Sequence, residues 1–452
     1  MQRFDFSFLK TIDWESQWQS FWRGFRLVLI FGLFAIGVPG MKPNRNSSQF
    51  QALGPARDHL FDFAAWEGAS VIDKVSMALV APQQYMTDQQ RGDYVLKYLQ
   101  LVRNIEVSEQ AVERIYVNPS ITNPDGRSAG VQGLRDDLRA EQHRGQALAE
   151  SIIEGQISEM LNEYGFGTAG QILPPVSIRF TELPTIMIVS PRDHIERTGA
   201  YALEHGLTVE QMDHIEHDVD HDLDVSSLIV PLGGLAMYPA MLIETPYVSS
   251  VFNVGSHEWT HHYLAFYPLG FHYGLSTDLY TMNETVANIV GGEIGWAVLN
   301  KYYPDYAGDP PDYTPQPPQQ QEERSAAPID PSVFDFNREM RVTRIHAEEL
   351  LGAGKIDEAE QYMEGRRTVF VEQGYQIRKL NQAYFAFYGS YADQPGATGA
   401  DPIGPALRDL RYYSGSLIDF VRRVRGLTSY DDLRKALDAA RRDYEATHPA
   451  QK

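Results

Sequence analysis

Apolar positions recur at three- and four-residue intervals through the first third of the chain. In 147–164, Leu148, Ile152, Ile153, Ile157, Met160 and Leu161 form one broad stripe, which predicts a long amphipathic helix. The stretch 118–128 interrupts the pattern with Asn, Pro, Asp and Gly, and reads as a loop. From about residue 174 the period shortens to two. Val176-Ser-Ile-Arg-Phe and Thr185-Ile-Met-Ile-Val read as strands, and Ser227-Leu-Ile-Val and Ala240-Met-Leu-Ile as further ones. Thr208 and Gln211 form a capping box that opens a helix between them. Helical patterns return around 254–264 and 282–292, and again in 341–351, 356–375 and 430–447. The pattern predicts an α+β fold with a small mixed sheet, flanked by mainly helical N- and C-terminal parts.

The chain divides by composition. Trp14, Trp18, Phe21, Trp22 and Phe25 make an aromatic stripe beside Arg23 and Arg26, followed by the apolar run 27–38. The stripe fits a membrane interface, and the run fits an anchor or the core of an export signal. The expectation for 1–41 is a membrane anchor or signal. The rest of the chain is then outside the cytoplasm, tethered if the segment stays and secreted if it is cleaved. Residues 42–60 read as a polar linker, 61–165 as a helical pre-domain and 166–302 as the catalytic core. Residues 303–331 form a Pro/Gln-rich insert that cannot pack, and 332–452 a helical part that completes the site.

A net charge of −21 offers no basic face, which argues against a nucleic-acid partner. The absence of cysteine excludes thiol catalysis, disulfides and Cys-ligated metals. Any metal site must therefore use His, Asp and Glu.

Such a set occurs in 254–263, where His257, Glu258 and His261 spell H-E-x-x-H. Positions four apart share one helix face, so both imidazoles can hold one zinc ion. Glu258, beside the first ligand, can act as general base toward an activated water. Ser249 or Ser250 offers the helix an N-cap, and Pro268 a stop. A catalytic zinc takes three protein ligands. Glu284, early in the next helical pattern, can be the third, and Asn288 can hold a ligand histidine in one tautomer. A second group, His214, His217 and His221, also shares one face, but among so many acids a solvated helix is the favoured reading.

With Glu284, Ala287 and Asn288 following H-E-x-x-H, the chain resembles the gluzincin metallopeptidases, whose second helix carries Glu-x-x-Ala-Asp. Asn288 stands where many members have Asp, so it lacks the charge. The resemblance implies a zincin-like catalytic domain, Zn²⁺ as cofactor, and hydrolysis of a peptide or protein substrate. It also implies an edge strand that binds the extended substrate, here Gly234, Leu235, Ala236, Met237 and Tyr238. The segment from Leu380 is similar to one in a bacterial family of predicted aminopeptidases, with Asn381, Ala383 and Tyr391 at matching positions. It implies Tyr391 as oxyanion donor, with Tyr384, Tyr273 and Tyr280 as alternatives. Hydrolysis of a non-peptide amide or ester, or a silent binding role, are the competing expectations.

Overall fold

The computed structural model describes residues 54–118, 120–314, 334–388 and 402–448. Segment 1–41, most of the following linker, most of the Pro/Gln-rich insert and Tyr391 lie outside these. Among the described residues no helix is long and apolar enough to cross a membrane.

After a 3-10 turn at Gly54–His59 come three helices, α1 (Phe63–Val80), α2 (Asp88–Tyr116) and α3 (Pro124–Glu163). Thr87 and Gln90 cap α2 reciprocally, and the Asn123 side chain accepts from Gly126 N–H at the start of α3. The predicted stripe faces inward: Ile152, Ile153, Ile157, Met160 and Leu161 on α3 are all buried.

Next come β1 (Ile178–Phe180), β2 (Thr185–Pro191), β3 (Gly199–Leu203), α4 (Val209–Leu223), β4 (Val225–Val230), β5 (Gly234–Leu235) and β6 (Ala240–Leu242). The predicted capping box at Thr208 and Gln211 is present. The predicted single mixed sheet is instead two sheets of three strands. One is antiparallel, in the order β3-β2-β4. The other runs β1-β6-β5, with β1 parallel and β5 antiparallel to β6.

Side chains explain the separation. Gln146, Glu150 and Glu154 recur every four residues on α3. Glu150 accepts from Phe180 N–H at 2.9 Å and Glu154 from Ile178 N–H at 2.8 Å, while Gln146 donates to the Phe180 carbonyl at 2.7 Å. The helix thereby satisfies the edge of β1 that another strand would otherwise take. Buried Lys74 pairs with both carboxylates, at 2.6 and 2.8 Å. In the other sheet, β2 is apolar on both faces because both are covered. Met187 and Val189 pack with Ile215 and Val219 of α4. Ile188 packs with Ala383 and Phe387 from the C-terminal part. The strand β3 was not foreseen, since Gly199-Ala-Tyr-Ala has little strand character.

The site helices are α5 (Val248–Leu264) and α7 (Thr277–Tyr302), separated by the short α6 (Pro268–Phe271). The remaining helices are α8 (Phe336–Gly352), α9 (Ile356–Glu372), α10 (Gln382–Tyr388), α11 (Ile403–Tyr413), α12 (Leu417–Val424) and α13 (Tyr430–Thr447). One hydrophobic core draws Val95, Ile152, Phe252, Val290, Leu407, Phe420 and Leu433 together, from α2, α3, α5, α7 and the last three helices. The C-terminal part also braces the site helices through polar contacts. Arg411 forms a two-pronged pair with Glu293 of α7, and Arg425 donates to the hydroxyls of Tyr263 and Tyr267.

Candidate metal centre

Helix α5 begins one residue before the serines proposed as its cap. Tyr247 occupies the cap position without a side-chain hydrogen bond, and Ser249 and Ser250 lie inside the first turn. Burial of Val251, Phe252, Trp259 and Leu264 holds the helix in place instead. Helix α7 is buried on nearly every face, and the Ser276 side chain caps it by accepting from Leu279 N–H.

The two helices approach closely at Gly291 and Gly295, one turn apart on α7. A Cβ at Gly291 would stand 2.8 Å from the Asn253 carbonyl oxygen and 3.1 Å from the His257 Cβ. This contact brings Glu284 to the H-E-x-x-H face. His257 Nε2 and His261 Nε2 lie 3.0 Å apart. Glu284 Oε2 lies 3.5 Å from the first and 3.7 Å from the second. Ligand atoms around a tetrahedral zinc are separated by about 3.3 Å, as its bond lengths require. The two nitrogens and the oxygen therefore fit a divalent ion, and among the described residues this is the group of three or more such side chains that could hold one.

His261 is fixed for that task by a neighbour. Its Nδ1–H donates to Asn283 Oδ1 at 2.7 Å, which leaves the Nε2 lone pair toward the ligand cluster. Asn283 is itself oriented, because its amide nitrogen donates to the Leu269 carbonyl. The sequence reading gave this role to Asn288. For His261 it belongs to Asn283, immediately before the ligand Glu284, while Asn288 sits half-buried a turn further along α7.

Burial alone would push Glu284 up, but the imidazoles of His261 and His257 outweigh it and hold its carboxyl well below the usual range. Burial disfavours the charged form of His261, yet Glu284 and Glu258 outweigh that and push it up to about 9. The metal-free ring thus carries a proton that a bound ion must displace. Low pH favours the protonated, metal-free form, so affinity rises with pH up to about 9. Zinc titrations at stepped pH should show binding weakening by about tenfold per unit below that point, for each proton released.

Glu258 is almost fully buried and faces the same cluster. Its pKa is raised, chiefly by burial, with the two imidazoles opposing. Gly234 of β5, the terminal strand of its sheet, crosses directly over it. A Cβ there would collide with the Glu258 carboxylate and with Val254. Of the proposed substrate strand, Gly234 and Leu235 are the paired residues. Ala236 is half-buried, whereas Met237 and Tyr238 turn their side chains into the core. The buried His262 fixes that turn by donating from Nε2 to the Met237 carbonyl at 2.6 Å. Burial pushes its pKa down to about 4 and keeps it neutral.

Among the tyrosines considered as donors, Tyr273 reaches the cluster. Its hydroxyl donates to Glu284 Oε1 at 2.7 Å. Tyr384 packs against Tyr388 and the α10 side of the β2 sheet. Tyr280 lies beside Tyr273, ring against ring. His214, His217 and His221 are exposed along α4, as the solvated reading holds.

Sequence reasoning missed Asn283, His262 and Arg197. The first two adjoin motif residues and were visible in principle. Arg197 had no signal, because it lies between β2 and β3, far from either motif. No family model, no curated protein and no solved structure matches the chain.

Proposed function

We propose that the chain is a zinc-dependent peptidase of gluzincin type, with a zincin-like catalytic unit built on α5, α7 and the β1-β6-β5 sheet. The carrying observation is the position of Glu258, buried between the His257, His261 and Glu284 cluster and the edge strand at Gly234. A purely structural metal site has no use for a carboxylate there.

His257, His261 and Glu284 would hold the ion, which when bound polarises a carbonyl and lowers the pKa of a water. Glu258 takes the proton of the attacking water and hands it to the leaving amine. The outer edge of Gly234 and Leu235 offers main-chain partners to an extended peptide. We assign the oxyanion donor to Tyr273, whose hydroxyl stands at the ligand Glu284 and would turn its one hydrogen from that carboxylate to the oxyanion. Segment 1–41 fits an anchor or export signal, which would put this chemistry outside the cytoplasm.

The test uses the full chain, stripped of metal and reloaded with zinc, and a mixed peptide library read by mass spectrometry. One zinc per chain is expected, with cleavage abolished by a chelator and restored by zinc. Bound zinc without any cut peptide would move the function to a non-peptide amide or ester, or to a silent binding role. A folded chain that takes up no zinc would sink the metal reading itself.

A further inference from the structure

Arg197 stands near the metal ligand Glu284 without an ion-pair partner of its own among the described residues. It lies in the segment between β2 and β3. Its guanidinium carbon sits 3.4 Å from the centre of the Tyr280 ring and 5.8 Å from that of Tyr273. It is within hydrogen-bonding reach of Tyr273 and feels the charge of Glu284. Among the described residues no carboxylate forms an ion pair with it, although the chain has 60 acidic residues to 39 basic ones. Half-buried arginines are ordinarily matched by an acid, as Arg411 is by Glu293.

Charge at the site points the same way. With a divalent ion bound, Glu284 and an ionised Glu258 would balance its charge, and Arg197 would add one positive charge to the centre. The Tyr280 ring covers one face of the guanidinium, which leaves its edge to donate. That edge is a rigid planar fork suited to a carboxylate, and the Tyr273 hydroxyl stands beside it. A neutral peptide gives such a group nothing to neutralise, whereas a chain end does.

We propose that Arg197, held between Tyr273 and Tyr280, forms an anion subsite beside the metal ligands, which takes the free terminal carboxylate of a peptide and selects substrates by that end. This rests on the metallopeptidase reading and narrows it to an exopeptidase working from the C-terminus.

The test measures binding rather than turnover. Zinc-loaded full chain is titrated calorimetrically with two hydroxamic acids that differ only in bearing a terminal carboxylate or its primary amide. The unaltered chain is expected to bind the carboxylate about 10–100-fold more tightly, the size of a charge-assisted hydrogen-bonded pair. Arg197→Met keeps the stem against Tyr280 and should erase that preference while leaving the amide's affinity unchanged. Arg197→Lys keeps the cation without the fork and should retain part of it, which preserves the test if the Met variant does not fold. Equal affinity for both probes in the unaltered chain would overturn the subsite, and so would an equal loss for both in Arg197→Met. Either result with zinc bound leaves the metallopeptidase reading in place. A chain that takes up no zinc overturns both.

Discussion

Glu258→Gln is expected to keep its zinc and lose peptide hydrolysis by about 10²–10⁴-fold, the usual contribution of a positioned general base. The substitution preserves shape and removes only the ability to take a proton. Shape matters here, because the Gly234 backbone lies so close to the carboxylate that even a Cβ on it would collide with Glu258. Folding should not suffer. Burial already disfavours the charged form of Glu258, so a neutral amide relieves that cost. Zinc content, melting temperature and steady-state rates on one cleaved peptide check the three parts. Zinc bound and hydrolysis unchanged would remove Glu258 from the chemistry.

The second large effect is expected at a residue that supplies no ligand. In Gly291→Ala the new methyl meets the Asn253 carbonyl oxygen at 2.8 Å and the backbone nitrogen of His257 at 3.2 Å. Neither is the flexible end of a side chain, so α7 must move away from α5. Such overpacking costs about 1–3 kcal/mol of stability. Because Glu284 is carried on α7 and both histidines on α5, the same movement separates the ligands. Zinc affinity should therefore fall together with stability. Gly292→Ala is the control. Its Cβ would meet nothing nearer than the Tyr313 hydroxyl at 4.0 Å, and alanine favours a helix over glycine by about 1 kcal/mol. Denaturant unfolding and zinc competition against a chelator would measure both variants. Equal behaviour of the two would show that the close approach of α5 and α7 does not set the ligand geometry.

The candidate centre was legible to the extent that its parts are local. His257 and His261 share a helix face by spacing alone, and Glu284 followed from the need for a third ligand early in the next helix. The tautomer partner of His261 was not foreseen, for a related reason. Asn283 and Asn288 are both on α7, and which of them meets His261 depends on how α7 lies against α5 and on where the Leu269 carbonyl holds the Asn283 amide. Tyr273 stood among four candidate tyrosines until the turn after α6 brought its hydroxyl to Glu284. The proposed serine cap of α5 failed because buried apolar side chains, rather than a hydroxyl, hold the start of that helix.

The sequence by itself determined the elements whose signal repeats within a few residues. These are the stripe on α3, the capping box at Thr208, four of the six strands, and the spacing of the histidines. Periodicity and capping act over one or two turns, so composition at that range suffices. Tertiary structure decided what depends on partners distant in the chain. It split the strands into two sheets by giving the edge of β1 to Glu150 and Glu154. It set Gly234 over Glu258, joined α5 to α7 at Gly291, and brought Arg197 to the ligands. Each of these is a contact between segments separated by tens of residues, where excluded volume and unsatisfied polar groups choose the neighbour and no local pattern records the choice.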